Sequence, residues 1–118
     1  YSNENNIDQM IYHYQLVDDQ IKKLEAHYKK RPTNDLLKKI ESFQYARIAL
    51  SNYYLNTKAY NKAYDIIQRT APSIDKYELM ARYFIDTNQP ENAISIYNQL
   101  NAQLKTKKYN TNIQQLRQ

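Results

Sequence analysis

The sequence predicts an all-α fold in which antiparallel helical hairpins stack into a short α-solenoid. Apolar residues recur at helical spacing along most of the 118 residues, and no stretch alternates with a period of two for long enough to indicate a strand. In addition, the segment 53–64 recurs as the segment 83–94, at an offset of 30 residues. A fixed period of this length is typical of helical repeats that bury their apolar faces on one another.

The first helix is predicted from about residue 7 to residue 31, before Pro32. Its apolar residues are spaced alternately three and four positions apart, the a/d pattern of a helix that packs along one face. They are Ile7, Met10, Tyr14, Val17, Ile21, Leu24 and Tyr28. Pro32 and the short turn favour an antiparallel hairpin, so we expect this face to pack on the second helix. The alternative is an exchange with a second copy of the chain.

The second helix is predicted over 35–56, because the polar segment 33–35 offers N-cap residues and a wide apolar face follows. Ala46 and Ala49 are small enough to let neighbouring helices approach closely. The first two helices therefore form an N-terminal hairpin, over 7–56.

Three further helices are predicted over 59–70, 74–87 and 90–104. Pro72 ends the first of them, and Pro90 stands in the first turn of the last, where proline is best tolerated. The chain has no glycine, so another residue must take the left-handed conformation at the helix ends. Asn56 and Asn88 are the expected candidates.

The segment 105–118 carries four cations and no acid. It is either a capping helix, since Ile113 and Leu116 have helical spacing, or a loose basic tail. A basic tail can bind nucleic acid. We favour a solvated face with a frayed end, because basic clusters of this kind are weak motifs.

Composition excludes several kinds of site. The chain has no cysteine, so disulfides, thiolate metal ligands and thiol nucleophiles are absent, and without glycine there is no glycine-rich phosphate loop. No apolar run approaches the ~20 residues of a membrane span. The composition does not choose a cellular compartment. Because the sequence opens with Tyr1, we expect it to be a processed or excised part of a larger protein.

Catalytic and metal-binding residues are not predicted. His13 and His27 are too far apart on one helix to share a metal ion, since fourteen residues rise roughly 20 Å. Asp18 and Asp19 are adjacent and point to different sides of a helix, so they cannot act as a carboxylate pair. We therefore expect no enzyme activity, no metal and no cofactor.

The repeat resembles the tetratricopeptide repeat (TPR), a pair of antiparallel helices with small residues where they cross. The resemblance covers residues 44–104, and Ala63 and Ala93 hold the small position of each unit. The signature positions are Leu50, Ser51, Tyr54, Tyr60, Ala63 and Ile67, and then Met80, Ala81, Phe84, Pro90, Ala93 and Tyr97. The period here is 30 residues, whereas the family period is 34.

The resemblance implies a concave face built from the first helix of each pair, where a protein or peptide binds. The residues implied at this face are Tyr45, Ile48, Asn52, Leu55, Asn56, Glu78, Arg82 and Ile85. An asparagine can hold a peptide backbone through its donor and acceptor, and an arginine can bind a carboxylate with two hydrogen bonds. Ile48 stands where family members that clamp a C-terminal carboxylate have lysine, so we do not expect that activity.

The function that the sequence predicts is a non-enzymatic protein–protein interaction scaffold, within a larger bacterial protein or assembly. One alternative is the peptide-sensing domain of a bacterial regulator. A second alternative is nucleic-acid binding through the basic segment 105–118. The oligomeric state is left open.

Overall fold

The computed structural model describes residues 2–118, with side chains from residue 6 onwards, and every regular element in that part of the chain is an α-helix. The helices are α1 (Ser2–Lys30), α2 (Asn34–Ser42), α3 (Gln44–Asn56), α4 (Tyr60–Arg69), α5 (Ile74–Asp86), α6 (Pro90–Leu104) and α7 (Asn110–Leu116). The all-α class is confirmed. Serine and threonine cap two of these helices, since the Thr33 hydroxyl accepts from the Leu36 N–H and the Ser73 hydroxyl accepts from the Lys76 N–H.

The single helix predicted over 35–56 is wrong, because the chain breaks at Phe43 into α2 and α3. The Phe43 N–H donates to the Lys39 and Ile40 carbonyls, and the Gln44 side-chain amide donates to the Ile40 carbonyl at 3.1 Å. The Ala46 N–H then donates to the Phe43 carbonyl, which tightens the turn. The Phe43 ring packs against the apolar core, so the apolar spacing continues across the break. The spacing of apolar residues alone therefore did not reveal the break.

The helices pack in chain order, and their relative directions follow from a few side-chain contacts. Helix α1 contacts α2 and α3, helix α3 contacts α4 and α5, and helix α6 contacts α5 and α7. Gln15 bonds Tyr54 while Asp18 bonds Arg47, so α1 and α3 run antiparallel. Arg82 bonds both Asn52 and Asn56, which brings the C-terminal halves of α3 and α5 together. A cleft lined by both Tyr45 and Asp75 also places the N-terminal ends of α3 and α5 close together, so the two helices run side by side in the same direction.

The turns that end α3 and α5 have the same geometry, 30 residues apart. Lys58 and Asn88 have positive φ angles, of 62° and 60°. The N–H of the next residue donates back into the last turn of the helix, the arrangement of a Schellman motif. These bonds run from Ala59 to the Tyr54 carbonyl at 2.8 Å, and from Gln89 to the Phe84 carbonyl at 2.7 Å. The repeat in the sequence is thus matched by a repeat in the backbone.

The left-handed residues are only partly those that were expected. Asn88 has the left-handed conformation, but Asn56 is the last residue of α3, and Lys58 is left-handed in its place. Lys105 at the end of α6 is also left-handed. Lysine pays a steric cost in this conformation that glycine avoids, and no glycine is available in this chain.

Three apolar clusters lie between the helices in the described part of the chain. The first joins α1 to α2 and α3 around Val17 and Ile21, and the second joins α3 to α4 around Leu55 and Ile67. The third and largest joins α5, α6 and α7. Helix α7 belongs to it because Ile113 is buried there and Leu116 packs against it.

The a/d face of α1 is buried along only part of its length. Val17 and Ile21 are buried, and Leu24 and Tyr28 pack against the same cluster. Ile7 and Met10 continue the spacing but are exposed. We expected the whole a/d face of the first helix to pack on the second predicted helix. Only the second half of α1 packs in this way.

Leucine at either crossing alanine is expected to destabilise the fold. Ala63 and Ala93 are fully buried against neighbouring helices, so Ala63→Leu or Ala93→Leu should lower the free energy of unfolding by ~1–3 kcal/mol through overpacking. Chemical denaturation followed by circular dichroism measures the change. Ala102→Leu, at an exposed position of α6, is the control and should change stability by less than about 0.5 kcal/mol. If Ala63→Leu and Ala93→Leu were both as stable as the wild type, the helices would not be closely packed at these two alanines.

Candidate functional site

Seven of the eight residues predicted for partner binding lie on neighbouring surfaces of α3 and α5. We call this surface the α3–α5 face, and it consists of Tyr45, Ile48, Asn52, Asn56, Glu78, Arg82 and Ile85. The four α3 residues are spaced three or four apart, so they lie along one side of that helix. Tyr45 and Ile85 are exposed large apolar side chains, and Asn52 and Asn56 are exposed amides.

Leu55 does not belong to this face, and its assignment to partner binding was wrong. Its side chain is 2% exposed. It packs in the cluster that contains Ala63 and Ile67 of α4. Leu55 is only three residues from Asn52, but the helical rotation turns it towards α4, where burying an apolar side chain stabilises the packing of α3 on α4.

Arg82 is the residue that links the two helices of the face. Its Nη1 donates to the Asn52 Oδ1 at 2.9 Å and its Nη2 donates to the Asn56 Oδ1. Its Nε lies 3.6 Å from an Asp86 carboxylate oxygen, one turn further along α5. The side chain remains 39% exposed. The guanidinium is therefore held in a fixed orientation while part of it still faces solvent.

Glu78 is committed to a contact inside the chain. The Tyr109 hydroxyl donates to its Oε2 at 2.6 Å, and the Lys108 ammonium lies 4.0 Å from the same oxygen. The hydrogen bond to Glu78, with burial as a second cause, raises the pKa of Tyr109 to about 12. The Tyr109 ring also stacks on Tyr97, with centroids 5.3 Å apart. Glu78 thus holds α7 against α5 and offers less to a partner than its position in the sequence suggested.

Two clefts flank α3 and share residues with the face. One has a volume of about 340 Å³ and runs from Tyr45 and Ile48 to the linker before α5. The other has a volume of about 320 Å³ and lies between the first half of α1 and the second half of α3. Asn52 and Asn56 line this second cleft. Residues of the α3–α5 face therefore line concave surface in two places.

A buried network of charges was not predicted from the sequence. Arg47 is 0% exposed, and its Nε donates to the Asp18 Oδ1 at 2.7 Å. Its two terminal nitrogens donate to the Glu25 carboxylate at 3.1 and 3.0 Å. Arg69 donates to both Asp18 oxygens, at 2.9 and 3.2 Å, and to Asp65 at 3.1 Å. The network ties α1 to α3 and α4.

The charge states in this network follow from its hydrogen bonds. Burial raises the pKa of Asp18, but the hydrogen bonds from Arg47 and Arg69 outweigh it and hold that pKa below its usual value. Burial likewise lowers the pKa of Arg69, and the bonds to Asp18 and Asp65 raise it overall. Asp18 and Arg69 are thus both charged at neutral pH. A signal for the network was present, since Arg47 interrupts the otherwise apolar run 46–50.

Within the part of the chain that the structure describes, no group of His, Asp or Glu side chains could hold a metal ion. His13 and His27 are both exposed, at separate points along α1. Over the same residues, no helix is long and apolar enough to cross a membrane.

Comparison with protein-family models, with curated proteins and with solved structures gave no match. The resemblance to the tetratricopeptide repeat therefore rests on the residues of this chain alone.

Proposed function

We propose that this chain is a non-enzymatic protein–protein interaction scaffold that binds a protein or peptide on the α3–α5 face. The main support is the fixed and partly exposed guanidinium of Arg82, held by Asn52 and Asn56 across the two helices. A polar group that is already oriented loses little conformational entropy when a ligand binds it. Exposed Tyr45 and Ile85 add apolar area on the same face.

We also propose that α3–α4 and α5–α6 are two consecutive TPR-like hairpins of a short α-solenoid. The supporting observations are the parallel course of α3 and α5, the matched turns at Lys58 and Asn88, and the equivalent buried alanines. In such a stack the first helices of successive pairs line one surface. That surface would be the α3–α5 face.

The hydrogen-bonding groups of the face indicate what kind of partner it suits. The Asn52 and Asn56 carbonyl oxygens accept from Arg82, so their amide nitrogens remain as donors for a ligand. Arg82 can donate only, because a guanidinium has no acceptor. A partner segment that presents carboxylate or backbone carbonyl oxygens would match these donors.

Peptides selected from a random display library against the wild-type chain provide the test. Arg82→Gln should weaken binding of the selected peptides by about tenfold or more, because a charge-assisted hydrogen bond is lost. Tyr45→Ala should also weaken binding, and this variant leaves the contacts between α3 and α5 in place. Isothermal titration calorimetry measures both.

Arg117→Gln is the matched control, because it removes an exposed arginine that lies just after α7 and outside the α3–α5 face. Binding to this variant should equal that of the wild type. Selected peptides that bind Arg82→Gln and Tyr45→Ala with unchanged affinity would refute the assignment of the face. Recovery of nucleic acid from lysate by the wild type, with its loss in Arg117→Gln, would place function in the basic segment instead.

A further inference from the structure

The net positive charge of the chain is concentrated in the second half of α1 and in α2. Residues 21–40 hold seven of the 17 lysines and arginines but only two of the 12 acids. This segment therefore carries a net charge of +5, which equals the net charge of the whole chain. A surface with one sign of charge attracts ligands of the opposite sign.

A groove between α1 and α2 collects part of this charge. It has a volume of about 340 Å³, and we call it the α1–α2 groove. Its lining residues are Gln20, Lys23, Leu24, His27, Lys39 and Phe43. Lys23 and His27 of α1 and Lys39 of α2 are exposed. Leu24 and Phe43 are half-buried and pack against the apolar core. The groove therefore has an apolar floor with a lysine on each side.

The basic side chains of the groove are not neutralised by acids. Among the described residues, no carboxylate lines the groove, and Lys23, His27 and Lys39 form no ion pair. Of the two acids in the segment, Glu25 accepts from Arg47 in the buried network, and Asp35 stands in the first turn of α2. The lysines are therefore free to bind the anionic groups of a ligand.

The spacing of the basic side chains suits an extended peptide. Lys23, His27 and Lys30 also line an adjoining cleft of about 300 Å³, so the basic surface continues along α1. The helix rises about 6 Å from Lys23 to His27 and about 4.5 Å from His27 to Lys30. Alternate side chains of an extended peptide lie about 6.6 Å apart on one side. Long lysine side chains can span the difference, so alternate carboxylates of such a peptide would meet these residues in turn.

The apolar floor distinguishes a peptide from other anionic ligands. Single-stranded nucleic acid binds through its phosphates and through bases that stack on aromatic faces. Phe43 is the aromatic residue that lines this groove, and its ring packs against the core. A large apolar side chain would instead cover Leu24 and Phe43 while carboxylates beside it reach the lysines. The volume lies at the lower end of the roughly 300–1,000 Å³ typical of ligand sites, which suits a short segment.

We propose that the α1–α2 groove is a second binding site, which holds a short acidic peptide segment with one large apolar side chain between carboxylates. The apolar side chain lies on Leu24 and Phe43, and the carboxylates pair with Lys23 and Lys39. The groove shares no residue with the α3–α5 face, so this inference does not depend on the function proposed for that face.

Fluorescence anisotropy with a labelled peptide, Asp-Glu-Asp-Phe-Asp-Glu-Asp, measures the binding. The wild type should bind this peptide at low ionic strength and lose affinity as salt is added. Lys23→Gln/Lys39→Gln should raise the dissociation constant by about fivefold or more, because two ion pairs with the peptide are lost. Lys22→Gln/Lys38→Gln is the matched control. It removes the same charge from the same two helices, but neither residue lines the groove, so the dissociation constant should change by about twofold at most.

A second peptide tests the apolar floor without altering the protein. Replacing the phenylalanine of the peptide by serine should weaken binding to the wild type by about fivefold or more, because Leu24 and Phe43 would stay uncovered. Equal binding of the two peptides would overturn the proposal, and so would equal weakening by the two double variants. A wild type that binds neither peptide at low ionic strength would also overturn it. Tighter binding of an oligothymidylate of similar charge would show that the site takes nucleic acid and not a peptide.

Discussion

Replacing Arg47 by methionine is expected to lower the free energy of unfolding by about 3–5 kcal/mol. The substitution keeps much of the apolar volume but removes one of the two arginine partners of the buried Asp18 carboxylate and the donors to Glu25. The Arg69 carbonyl also loses the donor that Arg47 supplies. A loss of this size is a large part of the 5–15 kcal/mol that stabilises a typical domain. Urea denaturation followed by circular dichroism measures it.

Two controls separate the buried network from surface charge. Lys22→Met removes an exposed cation 3.7 Å from the same Asp18, and stability should change by less than about 0.5 kcal/mol. The double variant Asp18→Leu/Arg47→Met should recover part of the loss, because it also removes the buried carboxylate that had lost the Arg47 hydrogen bond, while Arg69 keeps its bond to Asp65. If Arg47→Met unfolds at the same urea concentration as the wild type, the network does not hold α1 against α3 and α4.

The pKa of Asp18 adds a pH dependence to the same comparison. Its pKa is lower in the folded chain than in the unfolded chain, so ionised Asp18 stabilises the fold above its ordinary value of 3.8. This contribution is lost as the pH falls through the folded value. When the pH is lowered below 3.8, the wild type should therefore lose more stability than the double variant Asp18→Leu/Arg47→Met, which has no carboxylate at position 18.

The extent of the helices was largely readable from the sequence, whereas the break at Phe43 was not. Apolar spacing and the prolines gave α4, α5 and α6 to within one or two residues, because packing and backbone restriction coincide there. At Phe43 the side chain stays in the core while the backbone turns, so the periodicity shows no interruption. Helix α1 begins at Ser2, five residues before the predicted start at residue 7. The prediction began too late because the first residues of the helix are polar and show no apolar spacing.

The α3–α5 face was predicted as a surface, but its hydrogen bonds were not. An offset of 30 residues relates Asn52 to Arg82 in sequence, and the structure shows that these two side chains bond to each other. Leu55 is buried because α4 packs against that side of α3. The position of α4 relative to α3 cannot be read from the spacing of apolar residues within α3. The Asp18–Arg47 pair joins residues 29 positions apart, so only the packing of α1 on α3 brings its two charges together.

Replacing Tyr109 by alanine is expected to lower the free energy of unfolding by about 3–5 kcal/mol, since a large buried aromatic side chain is removed. The substitution removes the ring that stacks on Tyr97 and the hydroxyl that donates to Glu78. Because Tyr109 belongs to the cluster that joins α5, α6 and α7, we also expect amide exchange in α7 to accelerate. Hydrogen exchange followed by mass spectrometry measures that local effect.

Tyr109→Phe keeps the ring and removes only the hydroxyl, so it separates packing from the hydrogen bond. The loss in this variant should be about 1.5–3 kcal/mol, the range for a hydrogen bond to a charged group. Tyr12→Phe is the control, because the Tyr12 side chain is exposed on α1, and its stability should match the wild type. Equal losses in Tyr109→Ala and Tyr109→Phe would show that the stacked ring contributes nothing.

Alkaline pH tests the bond to Glu78 without altering the packing. The pKa of Tyr109 is about 12 in the folded chain against 10.0 for an ordinary tyrosine, so the neutral phenol stabilises the fold fully below pH 10. That contribution is lost as the pH rises from 10 towards 12. Between pH 9 and pH 11 the wild type should lose about 1 kcal/mol more than Tyr109→Phe, which has no phenol at this position to ionise. Parallel curves for the two proteins would contradict the bond, because Tyr97, whose pKa is raised by burial and by Glu78, is present in both and cancels in the comparison.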